Sequence, residues 1–202
     1  MGLSTEAELC NISLGLIGVS IRIQSLSDNE ATARACKDNY SQARDLALES
    51  FEWTFAEQTA VLALSTEVRT GWTYTYALPG NCMVPRRIDD GSGNRSERAV
   101  DKTPFRTMLN DAGNGMLLVT DQQNAVLVYT ASVAITALFS AHFTECVAHL
   151  LAAKLANVVK KDPKLGLSMM QSADFLLKRA GAFDRNVGQL DPRPDSVLLT
   201  GR

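Results

Sequence analysis

The sequence predicts an α+β protein: a four-helix layer, two helices from each end of the chain, around a central antiparallel β insert of about five strands. Three observations carry this. Apolar residues recur at spacings of three and four near both ends of the chain, as on one face of a helix. Between these stretches the period falls to two, in short runs rich in Thr, Tyr and Val. The links between those runs are too short for parallel crossovers. The expected organisation is a helical bundle from residues 1–56 and 134–183, a β insert at 57–133 and an extended C-terminal arm at 184–202.

The first helix opens at Thr5-Glu6-Ala7-Glu8, a capping box in which hydroxyl and carboxylate satisfy each other's orphan amides. Leu3, Ala7, Cys10, Leu14 and Ile17 form its apolar face, and Gly18 is its natural stop. The second helix is expected over about 28–51, capped by Ser27 or Asp28, with Glu30 at the positive end of its dipole. Its stripe of Cys36, Tyr40, Ala43 and Ala47 is mostly small, which suits close helix packing.

Strands are expected at 59–64, 73–77, 105–109, 116–120 and 125–133, forming a meander. Pro79-Gly80-Asn81, Asn114-Gly115 and residues 122–124 supply turns, and residues 88–103 read as a long surface loop. Helix returns at Ser140 and runs to about Lys160, with a main stripe of Phe143, Val147, Leu150, Leu151 and Val158. Alanines fill most of its other faces, so it is expected between other helices. Asp162-Pro163 starts a fourth helix carrying Leu165, Met169, Met170, Ala173, Leu177 and Ala180. After Phe183 the pattern ends. The arm holds Pro192 and Pro194, which stiffen it, and the triplet Val197-Leu198-Leu199, an expected docking element for a neighbour or another protein.

Composition narrows the function. Twenty Lys and Arg against twenty-two Asp and Glu leave a net charge of −2, unlike the basic face of a sequence-specific DNA reader. No apolar run reaches the roughly 18 residues of a membrane span, and Met1 to Glu8 lacks the pattern of a secretory leader. The cysteines at 10, 36, 82 and 146 match no zinc module, and reduced, buried thiols of a cytoplasmic chain are the expectation. The basic pairs Arg86-Arg87 and Lys160-Lys161 read as solvated surface, with contact to passing DNA backbone a minor role.

The best enzyme-like pattern is His142, Glu145, Cys146 and His149, which on a helix fall near one face. Imidazole, thiolate and carboxylate are zinc ligands, and the alternative function is a metal-dependent enzyme or hydrolase using His142 and His149. The order differs from H-E-x-x-H, and the outer pair stands about 10 Å apart along the helix, too far for one ion. There is no G-x-S-x-G, Walker loop or dinucleotide fingerprint, and residues 89–97 do not fit a calcium loop. The expectation is no enzyme, with no catalytic residue, no cofactor and no metal.

Landmark order adds a further pointer. Ala7-Glu8-Leu9-Cys10-Asn11 leads to Leu14-Gly15-Leu16-Ile17-Gly18; the second helix, with Tyr40 and Ala43-Arg44-Asp45, closes in Trp53-Thr54-Phe55-Ala56. Gly71-Trp72-Thr73-Tyr74-Thr75-Tyr76-Ala77-Leu78-Pro79 follows, and later Leu138-Phe139 and Phe143 lead into Ala152-Ala153-Lys154-Leu155-Ala156. Over roughly residues 5–185 this ordered set resembles the tail tubular protein A family, the head-to-tail adaptors of short-tailed bacteriophages. Ser140 stands where such proteins often have an acidic cap; serine also caps.

The resemblance implies a structural virion protein, made in the bacterial host cytoplasm, that forms a ring of usually about twelve copies below the portal. Its partners would be the portal, the tail nozzle (tail tubular protein B-like), possible tail fibres, further copies of itself, and double-stranded DNA passing without sequence-specific contact. No membrane is involved. Near-neutral charge fits a channel through which DNA must slide.

Overall fold

The computed structural model describes residues 5–89 and 103–187, with side chains to Phe183. The chain is α+β and divides into two compact units. One is Ala56–Ala134; the other joins the segment ending at Phe55 to the segment beginning at Ile135.

The helical unit holds α1 (Glu6–Leu16), α2 (Ala31–Ser50), α3 (Ala141–Val158) and α4 (Pro163–Val187). The capping box of α1 forms: Glu8 N donates to Thr5 Oγ1 at 3.2 Å and Thr5 N donates to Glu8 Oε2 at 3.3 Å. The helix closes in a Schellman pattern, with Gly18 N donating to Gly15 O and Val19 N to Leu14 O. Gly18 adopts φ +69°, which a side chain would disfavour. Asn11 then clamps the connecting loop, donating to Ile23 O at 2.8 Å and accepting from Ile23 N at 2.9 Å.

The start of α2 differs from expectation. Asp28 Oδ2 accepts from Gln24 N and Ser25 N, capping a turn ahead of the helix, and α2 begins at Ala31 behind Glu30, whose side chain makes no cap bond. The carboxylate found nearer amides in the loop, a competition typical of Asp. The small stripe is buried as expected, from Ala33 and Cys36 through Tyr40 and Ala43 to Ala47.

α3 is the centre of this unit. Ser140 Oγ caps it by accepting from Phe143 N at 3.2 Å, and α1, α2 and α4 all pack against it. Phe143, Val147, Leu150, Leu151 and Leu155 are buried around its circumference, together with Ala148, Ala152, Ala153 and Ala156, while Ala141 in the first turn is exposed. Val158, expected in the main stripe, is instead exposed in the last turn. Asp162 Oδ1 accepts from Lys164 N and Leu165 N to start α4, with Pro163 in the first position. α4 continues through Val187, so residues 184–187 belong to it and not to an arm. The apolar period stops at Phe183, but no proline or glycine intervenes before Gly188, and nothing breaks the helix. Pro192, Pro194 and Val197-Leu198-Leu199 lie outside the described residues.

The β unit departs further from the expected meander. It has seven strands among the described residues: β1 (Glu57–Val61), β2 (Ala63–Leu64), β3 (Tyr74–Ala77), β4 (Cys82–Asp89), β5 (Phe105–Leu109), β6 (Met116–Thr120) and β7 (Val126–Ala131). They form two antiparallel sheets, β1-β7-β4 and β2-β3-β6-β5. The expected first strand splits at buried Leu62, whose N–H donates to Ala125 O, and the chain passes there from one sheet to the other. Tyr76 and Leu118 from the four-stranded sheet meet Ile88, Leu127, Tyr129 and Ala131 from the three-stranded sheet in one core.

β4 is additional to the expected strands: the sequence reading assigns no element between the Asn81 turn and the loop at 88, and takes Arg86-Arg87 as solvated surface. β4 is an edge strand with register shifts between Cys82 and Val84 and between Pro85 and Arg87, where a proline is tolerated. The two arginines are not simply solvated: Arg86 Nε donates to Thr130 Oγ1 at 2.8 Å and Arg87 pairs with Glu57 at 3.4 Å. Ile88 and Asp89 belong to β4, and residues 90–102 of the expected loop lie outside the described residues.

Candidate functional site

The His142, Glu145, Cys146, His149 pattern does not gather into one site. The Cys146 thiol is fully buried, and burial, followed by the Glu145 charge, pushes its pKa up to about 12. Such a thiol is neither a nucleophile nor a ready metal ligand near neutral pH. His142 stacks edge-on against Phe183 of α4, with ring centroids 4.5 Å apart. His149 Nδ1 lies 2.9 Å from Glu145 O, and since a carbonyl oxygen only accepts, Nδ1 is the donor. The reason for the separation is the helix itself: residues one and three apart diverge by about 100° and 60° around the axis, enough to put one in the core and another in solvent. Among the described residues no three His, Cys, Asp or Glu side chains are grouped to hold a metal ion.

Glu145 and His149 instead share an open groove of about 410 Å³ with Ser168, Gln171, Ser172, Phe175 and Leu176 of α4. Ser172 Oγ is turned back to Ser168 O. The groove is shallow and mixed in polarity, and holds no nucleophile paired to a base.

A second polar cluster lies between α1 and α2. Cys10 and Cys36 are fully buried and hydrogen-bonded to each other, which, with burial, keeps the Cys10 thiol protonated far above its ordinary range. One turn along α2, the Tyr40 hydroxyl is buried with no hydrogen-bond partner among the described residues, and burial, followed by the Glu6 charge, raises its pKa. Cys82 in the β unit is also raised by burial. All four cysteines are free.

α4 also leaves Leu167, Phe175 and Phe183 exposed, outside the stripe named from the sequence. They share no single face, since a step of eight residues turns about 80° around the helix axis; Phe175 borders the groove and Phe183 the His142 ring. Ile12 and Leu16 of α1 are likewise exposed, four residues apart.

A second aromatic group closes the helical unit where the chain leaves it and returns. Trp53 and Phe55 precede β1; Phe139 and Phe143 follow β7. Phe143 lies 5.0 Å from Trp53, 4.9 Å from Phe55 and 4.7 Å from Phe139, centroid to centroid, with the rings edge to face. Trp53 Nε1 donates to Ala47 O at 2.8 Å, so the buried indole is satisfied.

No described helix is long and apolar enough to cross a membrane. No family model and no curated protein matches the chain.

Proposed function

We propose that the chain is a head-to-tail adaptor of a short-tailed bacteriophage. Copies form a ring, usually about twelve, beneath the portal. The ring extends the DNA channel and presents its distal side to the tail nozzle and fibres. The observation that supports this best is the aromatic brace. Trp53-Thr54-Phe55-Ala56 and Leu138-Phe139 with Phe143, two of the stretches that carry the resemblance, are distant in sequence and pack together. They pin the two strands of chain that connect the helical unit to its β insert, so their joint presence has a structural cause. An inserted β unit held by two chain crossings suits a protein that must present separate surfaces to different partners. Near-neutral charge supports the same reading, since a strongly basic lining would hold DNA by its phosphates.

The test is sedimentation and solution mass of the full chain with a purified portal from a short-tailed phage. A portal complex carrying a ring of this chain is the expected result. Chain and portal sedimenting separately at all ratios would overturn the proposal.

A further inference from the structure

We propose that Asn114 is a site of spontaneous deamidation and that the carboxamide of Asn110 is the lock that sets its rate. Asn114-Gly115 is the chain's one Asn-Gly pair. Asparagine is a thermolabile residue. It reacts most readily before glycine, because no side chain on the next residue hinders attack by that residue's amide nitrogen. The pair sits in the turn between β5 and β6, with Asn114 exposed to water and Gly115 half-buried.

In the reaction the Gly115 nitrogen bonds to Asn114 Cγ. The Cγ–Nδ2 bond breaks, and ammonia leaves with the proton given up by the Gly115 amide. A succinimide ring remains. Water opens that ring at either carbonyl and gives an aspartyl or an isoaspartyl residue. The isoaspartyl product routes the main chain through the former side chain. It adds a methylene to the backbone of the turn between the paired residues Leu109 and Met116.

Asn110 holds both reacting groups. Its Oδ1 accepts from Asn114 N at 3.0 Å and from Gly115 N at 3.1 Å, and its Nδ2 donates to Asn114 Oδ1 at 2.8 Å. The attacking nitrogen must lose its proton, yet that N–H is directed at Asn110. The carbon under attack must swing over the nitrogen, yet its carboxamide is tied to the same side chain. Attack therefore requires these bonds to open together, in a local fluctuation of the turn. The main chain reinforces the lock, with Asn110 N donating to Gly115 O at 2.9 Å and Gly113 N to Asn110 O at 3.0 Å. Residues on either side of Asn110 are held as well. Arg69 donates to Leu109 O at 3.2 Å and pairs with Asp111 at 2.9 Å, and Asp111 N donates to Glu67 Oε2 at 3.0 Å.

Glycine at 115 serves the lock and creates the need for it. A Cβ there would stand 3.1 Å from Asn110 Nδ2, tighter than ordinary contact. The missing side chain lets the Asn110 amide close on the turn, and the same absence opens Asn114 to attack.

The test follows deamidation at Asn114 by peptide mass spectrometry in the full chain at mildly alkaline pH. The native parent is compared with the parent unfolded in guanidinium chloride, and with native Asn110→Ala and Asn110→Asp. The aspartate still accepts from Gly115 N but cannot donate to Asn114 Oδ1. Asn114 should react at least about tenfold more slowly in the native parent than in the unfolded chain, the net worth of two or three neutral hydrogen bonds. Both variants should react faster than the native parent while keeping its circular dichroism; if the alanine variant does not fold, the aspartate variant carries the comparison. Equal rates in native and unfolded parent would overturn the lock, as would a folded variant that reacts as slowly as the parent. No reaction at Asn114 in the unfolded chain would overturn the site itself.

Discussion

Phe51, at the end of α2, lies so close to Gly181 of α4 that a Cβ at Gly181 would stand 2.6 Å from the ring. The absent side chain lets the aromatic ring seat against the helix backbone. Gly181→Ala is therefore expected to lower stability by about 1–3 kcal/mol, since the ring must leave its position. Gly15→Ala is the contrasting variant: nothing lies within 4 Å of a Cβ there, and the helix gains about 0.5–1 kcal/mol. Urea unfolding of both decides. Equal midpoints would mean that Phe51 moves aside freely.

Tyr40→Phe is expected to keep or raise stability at neutral pH, by up to about 1 kcal/mol, because it removes a buried hydroxyl with no partner among the described residues. The pH dependence follows from the raised Tyr40 pKa. Above the ordinary tyrosine value of 10.0 the unfolded chain loses this proton while the folded chain keeps it. The folded state then binds more protons, so stability falls as pH rises through that range. The phenylalanine variant should lose less stability between neutral and strongly alkaline pH than the parent. Parallel curves would mean that Tyr40 contributes nothing to the alkaline slope.

The legible parts of this fold are those set by local chemistry. Thr5 with Glu8, Gly18, Ser140 and Pro163 announce helix ends through atoms within a few residues, and all act as the sequence suggests. The misread parts depend on distant partners. Asp28 had two sets of amides within reach, and only the folded loop shows that Gln24 and Ser25 take it. Pro85 is tolerable in β4 because that strand is at an edge, a fact carried by β7. Leu62 looks like any strand residue, although the chain changes sheets there. The four-residue pattern on α3 shows which side chains share a helix, but not that Cys146 is buried while Glu145 is exposed. Phe175 and Phe183 lie off the inward stripe of α4, and helical periodicity reveals only the stripe that packs.

The joint variant His142→Gln/His149→Gln is expected to keep its helical circular dichroism and any ring assembly on the portal. The cost is the ring contact of His142 with Phe183, about 0.5–1.5 kcal/mol. Elemental analysis of the purified parent should give no stoichiometric zinc, since Cys146 is buried and no three His, Cys, Asp or Glu side chains among the described residues are grouped to hold an ion. A tightly held metal that disappears in the variant would reverse this and favour the hydrolase alternative.

Removal of residues 188–202 tests the C-terminal arm as a docking element. The cut is made after Val187, not after Phe183, because α4 runs through Val187 and an earlier cut would damage the helix as well. The removed residues reach at most about 50 Å when extended, enough to touch a neighbouring protein. Pro192 and Pro194 reduce the entropy lost when such a segment binds. Val197, Leu198 and Leu199 would each contribute about 1.5–3 kcal/mol on full burial, before ordering costs are subtracted. Around a ring even a modest remainder is multiplied by avidity. The shortened chain should therefore fold with unchanged helical signal per residue of α1 to α4, yet fail to co-sediment with portal. Asp at all three positions 197–199 in the full-length chain should reproduce that loss without removing any backbone. If both altered chains bind portal as well as the parent does, the arm has no docking role, and portal contact must come from the two folded units.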